Sequence, residues 1–263
     1  MLVFRSILFL IAFYLTTAAF LLLGSWLLLC PRRWAMEGLR LHGLASVWWL
    51  KVICGTRLQV RGREKLPQGA CLVASKHQSA WDTFGLIPVF RDPAIVMKAE
   101  LGHIPFYGWF SRKFRHIFVR RESGPSALRA LIRDAHERAA QGREIVIFPE
   151  GTRRTPGAAP DYKPGFVALY DGLQLPCVPV ALNSGLFWPR RSFMRYPGTI
   201  VVEILDPVPP GLPRAQARKL IEERIETACA RLIAEARGAP SPPPLPALEP
   251  ASDIGDKSPS LGA

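Results

Sequence analysis

Two residues of this chain are spaced for proton transfer: His77 and Asp82, in Lys76-His77-Gln78-Ser79-Ala80-Trp81-Asp82. They follow the apolar run Cys71-Leu72-Val73-Ala74, which reads as a buried strand. If the chain turns tightly past the strand end, the carboxylate can hold one imidazole nitrogen as N–H. The other nitrogen is then free to take a proton, an arrangement that deprotonates a hydroxyl. A polar loop histidine followed by an aspartate capping a helix has the same spelling. Spacing alone leaves both readings open.

Two further clusters lie downstream. Phe148-Pro149-Glu150-Gly151-Thr152-Arg153-Arg154 follows the strand-like Ile145-Val146-Ile147 and brings a carboxylate, a flexible backbone, a hydroxyl and two guanidiniums to one rim. Arginine grips phosphate through two parallel hydrogen bonds, and a neighbouring carboxylate orients the arginine or accepts from a hydroxyl. A loop of solvated arginines would have the same composition. The third cluster runs from Lys98-Ala99-Glu100-Leu101 through Pro105-Phe106-Tyr107-Gly108-Trp109 to Ile117-Phe118-Val119-Arg120-Arg121. Its cations also gather at strand ends, where open α/β sheets bind ligands. Most of its aromatic run reads as core, with Trp109 the exception. His42, His103, His116 and His136 have no partner at a comparable spacing, and no metal site is expected.

These residues need a scaffold of alternating elements. Strands are predicted at Arg57–Arg61, Cys71–Ser75, Ala94–Lys98, Ile117–Arg120, Glu144–Phe148, Cys177–Leu182 and Thr199–Leu205. Helices are predicted at Pro105–Lys113, Ser126–Gln141, Pro164–Leu173 and Pro213–Arg237. The interleaving implies an α/β fold with a mixed, largely parallel sheet flanked by helices. Three segments follow: 1–55 membrane-associated, 56–237 the catalytic domain, and 238–263 a tail whose seven prolines read as disorder.

Ser6 to Cys30 is 25 residues without a charge, enough for a membrane-crossing helix and too long for a signal-peptide core. Arg32, Arg33, Arg40, Lys51 and Arg57 follow it, which puts the main body on the cytoplasmic side of the membrane, the inner membrane in a bacterium. Leu39 to Val52 carries Trp48 and Trp49 between basic residues and suits the interface. Either the first segment spans and the second lies on the surface, or both dip into one leaflet as a hairpin. The net charge is +13; the tail contributes −2, so residues 1–237 carry +15, which suits anionic lipid, phosphorylated substrates or nucleic acid. Five scattered cysteines without a C-x-x-C pair fit a reducing compartment and argue against a disulfide framework.

Taken in order, these blocks resemble the lysophosphatidic acid acyltransferase (1-acylglycerol-3-phosphate O-acyltransferase) family. His77-x4-Asp82 resembles its catalytic block, and Lys98-x-Glu100-Leu101 through Arg121 its second. Phe148 to Arg153 matches the third residue for residue, Val178-Pro179-Val180 resembles the fourth, and Lys163-Pro164-Gly165 sits at the usual Lys-x-Gly. The resemblance covers about residues 57–210. Lys76 stands where the family often has asparagine, and Arg120 where an aspartate is common.

The resemblance implies a glycerolipid acyltransferase-like fold. It implies transfer of a fatty acyl group from a thioester to the sn-2 hydroxyl of 1-acyl-sn-glycerol-3-phosphate, giving phosphatidic acid. His77 and Asp82 would be catalytic; Lys98, Arg121, Glu150, Gly151, Thr152 and Arg153 would bind substrate. The implied partners are membrane lipids, lysophosphatidic acid and an acyl-CoA or acyl carrier protein thioester, with no metal or other cofactor and no nucleic acid. Two readings stand beside it. One is a same-fold enzyme for another lyso-lipid acceptor, such as an amino-acid-containing lipid. The other is a non-catalytic membrane-attached module for anionic lipid or nucleic acid, which would not require the His77–Asp82 pair and for which no nucleic-acid motif is found.

Overall fold

Runs rich in Val, Ile and Leu assemble into one seven-stranded sheet. The computed structural model describes residues 1–120 and 124–247. In chain order the elements are α1 (Leu2–Leu23), α2 (Arg32–Trp49), β1 (Thr56–Arg61), β2 (Cys71–Ser75), α3 (Asp82–Gly85), β3 (Ala94–Lys98), α4 (Tyr107–Lys113), β4 (Ile117–Val119), α5 (Gly124–Ala139), β5 (Glu144–Ile147), α6 (Pro164–Leu173), β6 (Cys177–Leu182), α7 (Ser184–Phe187), β7 (Gly198–Ile204) and α8 (Arg214–Arg237). The sheet order is β1-β7-β6-β2-β5-β3-β4, and every pairing is parallel except β6 with β7. This is the mixed, largely parallel sheet expected, with each strand within one residue of its predicted bounds. Pro179, which has no N–H to donate, lies just outside the β6–β7 ladder, whose pairs begin at Val180.

Helices cover both faces, giving three layers. The period-two alternation of β2 feeds both cores: Leu72 and Ala74 pack with α5, α6 and α8, while Cys71 and Val73 pack with α1, α3 and α7. On α8 the buried residues Ala217, Ile221, Ile225, Ala228, Cys229 and Leu232 form one stripe at helical spacing against the sheet. The proposed tail begins at the end of α8; residues 248–263 lie outside the described residues.

α1, 22 residues, is long and apolar enough to cross a membrane, but it does not extend over the whole charge-free run. The charge-free run breaks at Gly24 into a short 3-10 turn, Ser25–Leu28, and Pro31 starts α2 in the reverse sense. α1 and α2 pack on each other and on the domain. Phe9 is fully buried, its ring 5.3 Å from Trp188 in an edge-on contact. Phe13 meets Phe84, and Phe20 meets Phe110, each at 5.1 Å. Gly43 of α2 lets that helix approach closely, since a Cβ there would lie 2.9 Å from the Phe84 carbonyl oxygen. The outward sides of the pair remain apolar and exposed, with Phe4, Ile11, Leu15, Trp34, Leu41 and Trp48 among them.

A charge clip fixes α2 to the sheet. Arg32 donates two hydrogen bonds to Asp92 at 2.8 and 2.5 Å. Arg143, fully buried, sits 3.2 Å from the same carboxylate and also donates to the carbonyls of Pro93, Phe114 and Arg115. Burial alone would raise the Asp92 carboxyl, but Arg32 and Arg143 outweigh it and hold the group below its ordinary value. Its contribution is therefore present at neutral pH and is lost as acid protonates the folded-state carboxylate. Removing one partner of a buried pair costs about 3–5 kcal/mol; because Asp92 is 30 % exposed, Asp92→Ala is expected to cost about 2–3 kcal/mol. Chemical denaturation in detergent micelles measures this, and an unchanged midpoint would show that the clip adds nothing.

Candidate functional site

Because β6, β2, β5, β3 and β4 run in one direction, the segments leaving their carboxyl ends emerge side by side along one edge of the sheet. That edge receives Ser184 after β6, His77 and Asp82 after β2, Phe148 to Arg153 after β5, Lys98 at the end of β3 and Arg120 after β4. Residues more than 100 positions apart in sequence, such as Asp82 and Ser184, become neighbours through strand order.

His77 Nδ1 lies 2.9 Å from Asp82 Oδ2. That oxygen also accepts from the backbone N–H groups of Gln78 at 2.7 Å and Ser79 at 2.9 Å, and Asp82 Oδ1 accepts from Ser184 Oγ at 2.5 Å. Asp82 is fully buried, so these four donors replace the water its charge would otherwise require. The histidine ring stacks on Phe148 with centroids 4.1 Å apart, and the His77 carbonyl accepts from Arg154 N–H at 2.8 Å. With Nδ1 held by the carboxylate, Nε2 is left to accept a proton. Asp82 is the first residue of α3, but its carboxylate does not cap that helix; it is turned back to His77 and to the backbone of Gln78 and Ser79, so of the two readings left open by spacing the pairing is the one observed.

His77 lines a cavity of about 1010 Å³, at the top of the usual range for small-molecule sites. Phe13 and Phe20 of α1 and Leu39 of α2 form one apolar wall, and Phe110, Leu128 and Leu131 extend it. The polar rim holds Lys98, Arg120, Glu150, Gly151, Thr152 and Arg153. Gly151 closes its turn with φ +64°, donating its N–H to the Phe148 carbonyl at 2.8 Å. The guanidinium of Arg153 is half-buried; burial, and then Arg190, lower its pKa from the ordinary value, opposed by Asp82.

Glu150 is placed differently from the rim arginines. It is 1 % exposed and turned inward, with Oε1 accepting from Lys76 Nζ at 2.8 Å. Its Oε2 has no hydrogen-bond partner among the described residues. Arg154 also turns away from the rim, pairing with Asp161. Arg121, expected to bind substrate, lies outside the described residues. Sequence reasoning missed Ser184, Phe148 as the stacking partner of His77, and the partners of Lys76; position just past a strand end was a signal for Ser184, Phe148 and Glu150, and there was none for Glu226 in the middle of α8. Among the other histidines, burial pushes His116 down to about 3, so it is neutral, and it accepts from Ile95 N–H at 3.3 Å.

Residues 57–183 match the family described as Acyltransferase. A 1-acyl-sn-glycerol-3-phosphate acyltransferase of Pseudomonas aeruginosa is 38% identical over 159 residues, which is 60% of this chain and 62% of that protein. The chain therefore matches less than two thirds of that relative's length. A lyso-ornithine lipid O-acyltransferase of the same organism is 30% identical over 131 residues, which is 49% of this chain and 50% of that protein. The crystal structure of the 1-acyl-sn-glycerophosphate (LPA) acyltransferase PlsC from Thermotoga maritima superposes with a TM-score of 0.75 at 24% identity, covering 91% of this chain and all of that one. That likeness establishes the fold.

Ser184→Ala removes one of the four donors that hold buried Asp82. A hydrogen bond to a charged group is worth about 1.5–3 kcal/mol, and the variant is expected to lose that much stability at neutral pH. Thermal and chemical unfolding in the same detergent check it; wild-type stability would mean that Asp82 does not need this bond.

Proposed function

We propose, for a chain whose residues 57–183 match the family described as Acyltransferase, that it transfers a fatty acyl group from a thioester to the sn-2 hydroxyl of 1-acyl-sn-glycerol-3-phosphate, producing phosphatidic acid. The observation that carries this reading is the His77–Asp82 pair at a cavity with an apolar wall of membrane-type helix and a rim of cations. His77 Nε2 takes the hydroxyl proton as the oxygen attacks the thioester carbonyl. Asp82 stabilises the imidazolium. The C–S bond then breaks, and the proton passes to the departing thiolate. Hydroxyl and thioester become ester and thiol, so the step balances without a nucleophilic Ser or Cys and without a redox group or metal. The donor is acyl-CoA or acyl carrier protein thioester.

Arg153, with Arg121, Thr152 and Gly151, holds the phosphate. Glu150 supports the turn from the inside through Lys76, and Lys98 faces the developing negative charge at the thioester carbonyl. The body sits at the cytoplasmic face of the membrane, in keeping with the basic residues after α1. α1 and α2 lie in one leaflet as a pair. The inner side of α1 is occupied by Phe9, Phe13 and Phe20 against the domain, which leaves only its outer side for lipid.

The lyso-ornithine relative and Arg120 in place of a common aspartate favour a second reading, in which the acceptor is an amino-acid-containing lyso-lipid. A two-by-two assay separates them: both thioester carriers against lysophosphatidate and a phosphate-free lyso acceptor. Preference for lysophosphatidate supports the first reading, and preference for the other acceptor replaces it.

General-base assistance is typically worth about 10²–10⁴-fold. His77→Ala is expected to lose at least that factor in kcat while remaining folded and membrane-bound, and Asp82→Asn to lose a similar factor, because an amide cannot stabilise imidazolium. Near-normal turnover by folded His77→Ala would remove the assignment. Arg153→Ala is expected to raise the KM for lysophosphatidate about 10–150-fold, from a charged hydrogen bond of about 1.5–3 kcal/mol. Arg153→Lys recovers part of the loss, since the planar fork is gone. A rise in the thioester KM instead would assign this arginine to the donor.

A further inference from the structure

Lys76 is 2 % exposed and lies at the end of β2, one residue before the proposed base. Its ammonium donates at 2.8 Å to Glu150 Oε1 in the turn after β5 and at 2.8 Å to Glu226 Oε1 on α8. Tyr162 donates to the same Glu226 oxygen at 3.0 Å. One cation thus joins the catalytic loop, the substrate-binding turn and the C-terminal helix. An apolar replacement for a buried ion pair is often neutral or stabilising, so stability alone is a weak reason for two carboxylates around one buried lysine.

We propose that Lys76 is a positioning residue for the acyl transfer: together with Glu226 it sets the protonation and orientation of Glu150, and through it the turn after β5 that lines the cavity. The proposal rests on the acyl-transfer reading of this site. The groups facing Glu150 are Lys76 from β2, Glu226 and Cys229 from α8, Tyr162 from the stretch before α6, and Arg154 from its own turn. Burial pushes the Glu150 carboxyl up to about 7, with Lys76 opposing the rise and Glu226 adding to it. Removing the lysine and removing the second carboxylate must therefore act in opposite directions. A purely structural cluster would shift the carboxyl in the same two directions but leave the acid limb of the activity profile in place.

The test uses the full chain in lipid nanodiscs. The carboxyl band of Glu150, identified by its loss in Glu150→Gln, is titrated by infrared difference spectroscopy in wild type, Lys76→Met and Glu226→Gln. The pH profile of kcat/KM for lysophosphatidate with an acyl-CoA is recorded alongside. Lys76→Met is expected to move the Glu150 transition and the acid limb of the profile upward by about one pH unit or more, with about tenfold lower activity below the limb and recovery at alkaline pH. Glu226→Gln is expected to move both downward. Unshifted transitions, shifts in the same direction, or an acid limb left in place overturn the proposal. Glu226→Gln retains the Lys76–Glu150 pair and decides the matter if Lys76→Met does not fold. The infrared titration does not depend on turnover, so a wild type inactive on lysophosphatidate would overturn the proposed function while the spectra still decide whether Lys76 and Glu226 set the protonation of Glu150.

Discussion

A fully buried carboxylate sets the terms for this structure. Asp82 has no access to water, and its charge is met by its own turn, by His77 and by Ser184. Ser184 reaches it only because β6 lies beside β2, and Phe148 reaches the His77 ring only because β5 lies on the other side. Strand order, loop conformation and the choice of imidazole nitrogen are thus one constraint seen at three scales. The antiparallel β7 and its partner β1 extend the sheet away from this edge and leave the five parallel strands to build it.

The same economy joins the site to the N-terminal helices. Phe9 belongs to the core that contains Val73 and Ile200, so α1 is packed into the domain and its outer side is apolar. The wall of the cavity that Phe13 and Phe20 supply is the inner side of the helix whose outer side is suited to lipid. A lipid acceptor can then approach His77 without its chain crossing water. The Arg32–Asp92–Arg143 clip holds this arrangement at the start of α2.

Much of the scaffold was legible because central strands of a parallel sheet are continuous apolar runs bounded by turn residues. Cys71–Ser75, Ala94–Lys98 and Cys177–Leu182 are of that kind. A hairpin was one of the two shapes left open for the N-terminal segments, but the position of the reversal after Gly24 was not legible, since the run from Ser6 to Cys30 is apolar on every side and hydropathy does not register a change of direction. The first turn of α2 carries Arg32 and Arg33 and reads as a basic flank; Arg32 is held there by Asp92, 60 residues away. The pairing of His77 with Asp82 was visible as a local spacing. Ser184 and Glu226 were not, because each meets its partner through strand adjacency and not through sequence proximity. Glu150 was read at the rim beside the arginines, and its turn toward Lys76 depends on α8 lying across the sheet.

The central claim is that the acceptor's own hydroxyl, deprotonated at His77, attacks the thioester directly. Intact-protein mass spectrometry of the enzyme quenched during turnover, and of the enzyme held with thioester but no acceptor, tests it most directly. The account predicts unmodified protein in both samples, with phosphatidic acid formed only when lysophosphatidate is present. A protein mass increased by one acyl group, lost on adding lysophosphatidate, would establish a covalent intermediate and contradict it.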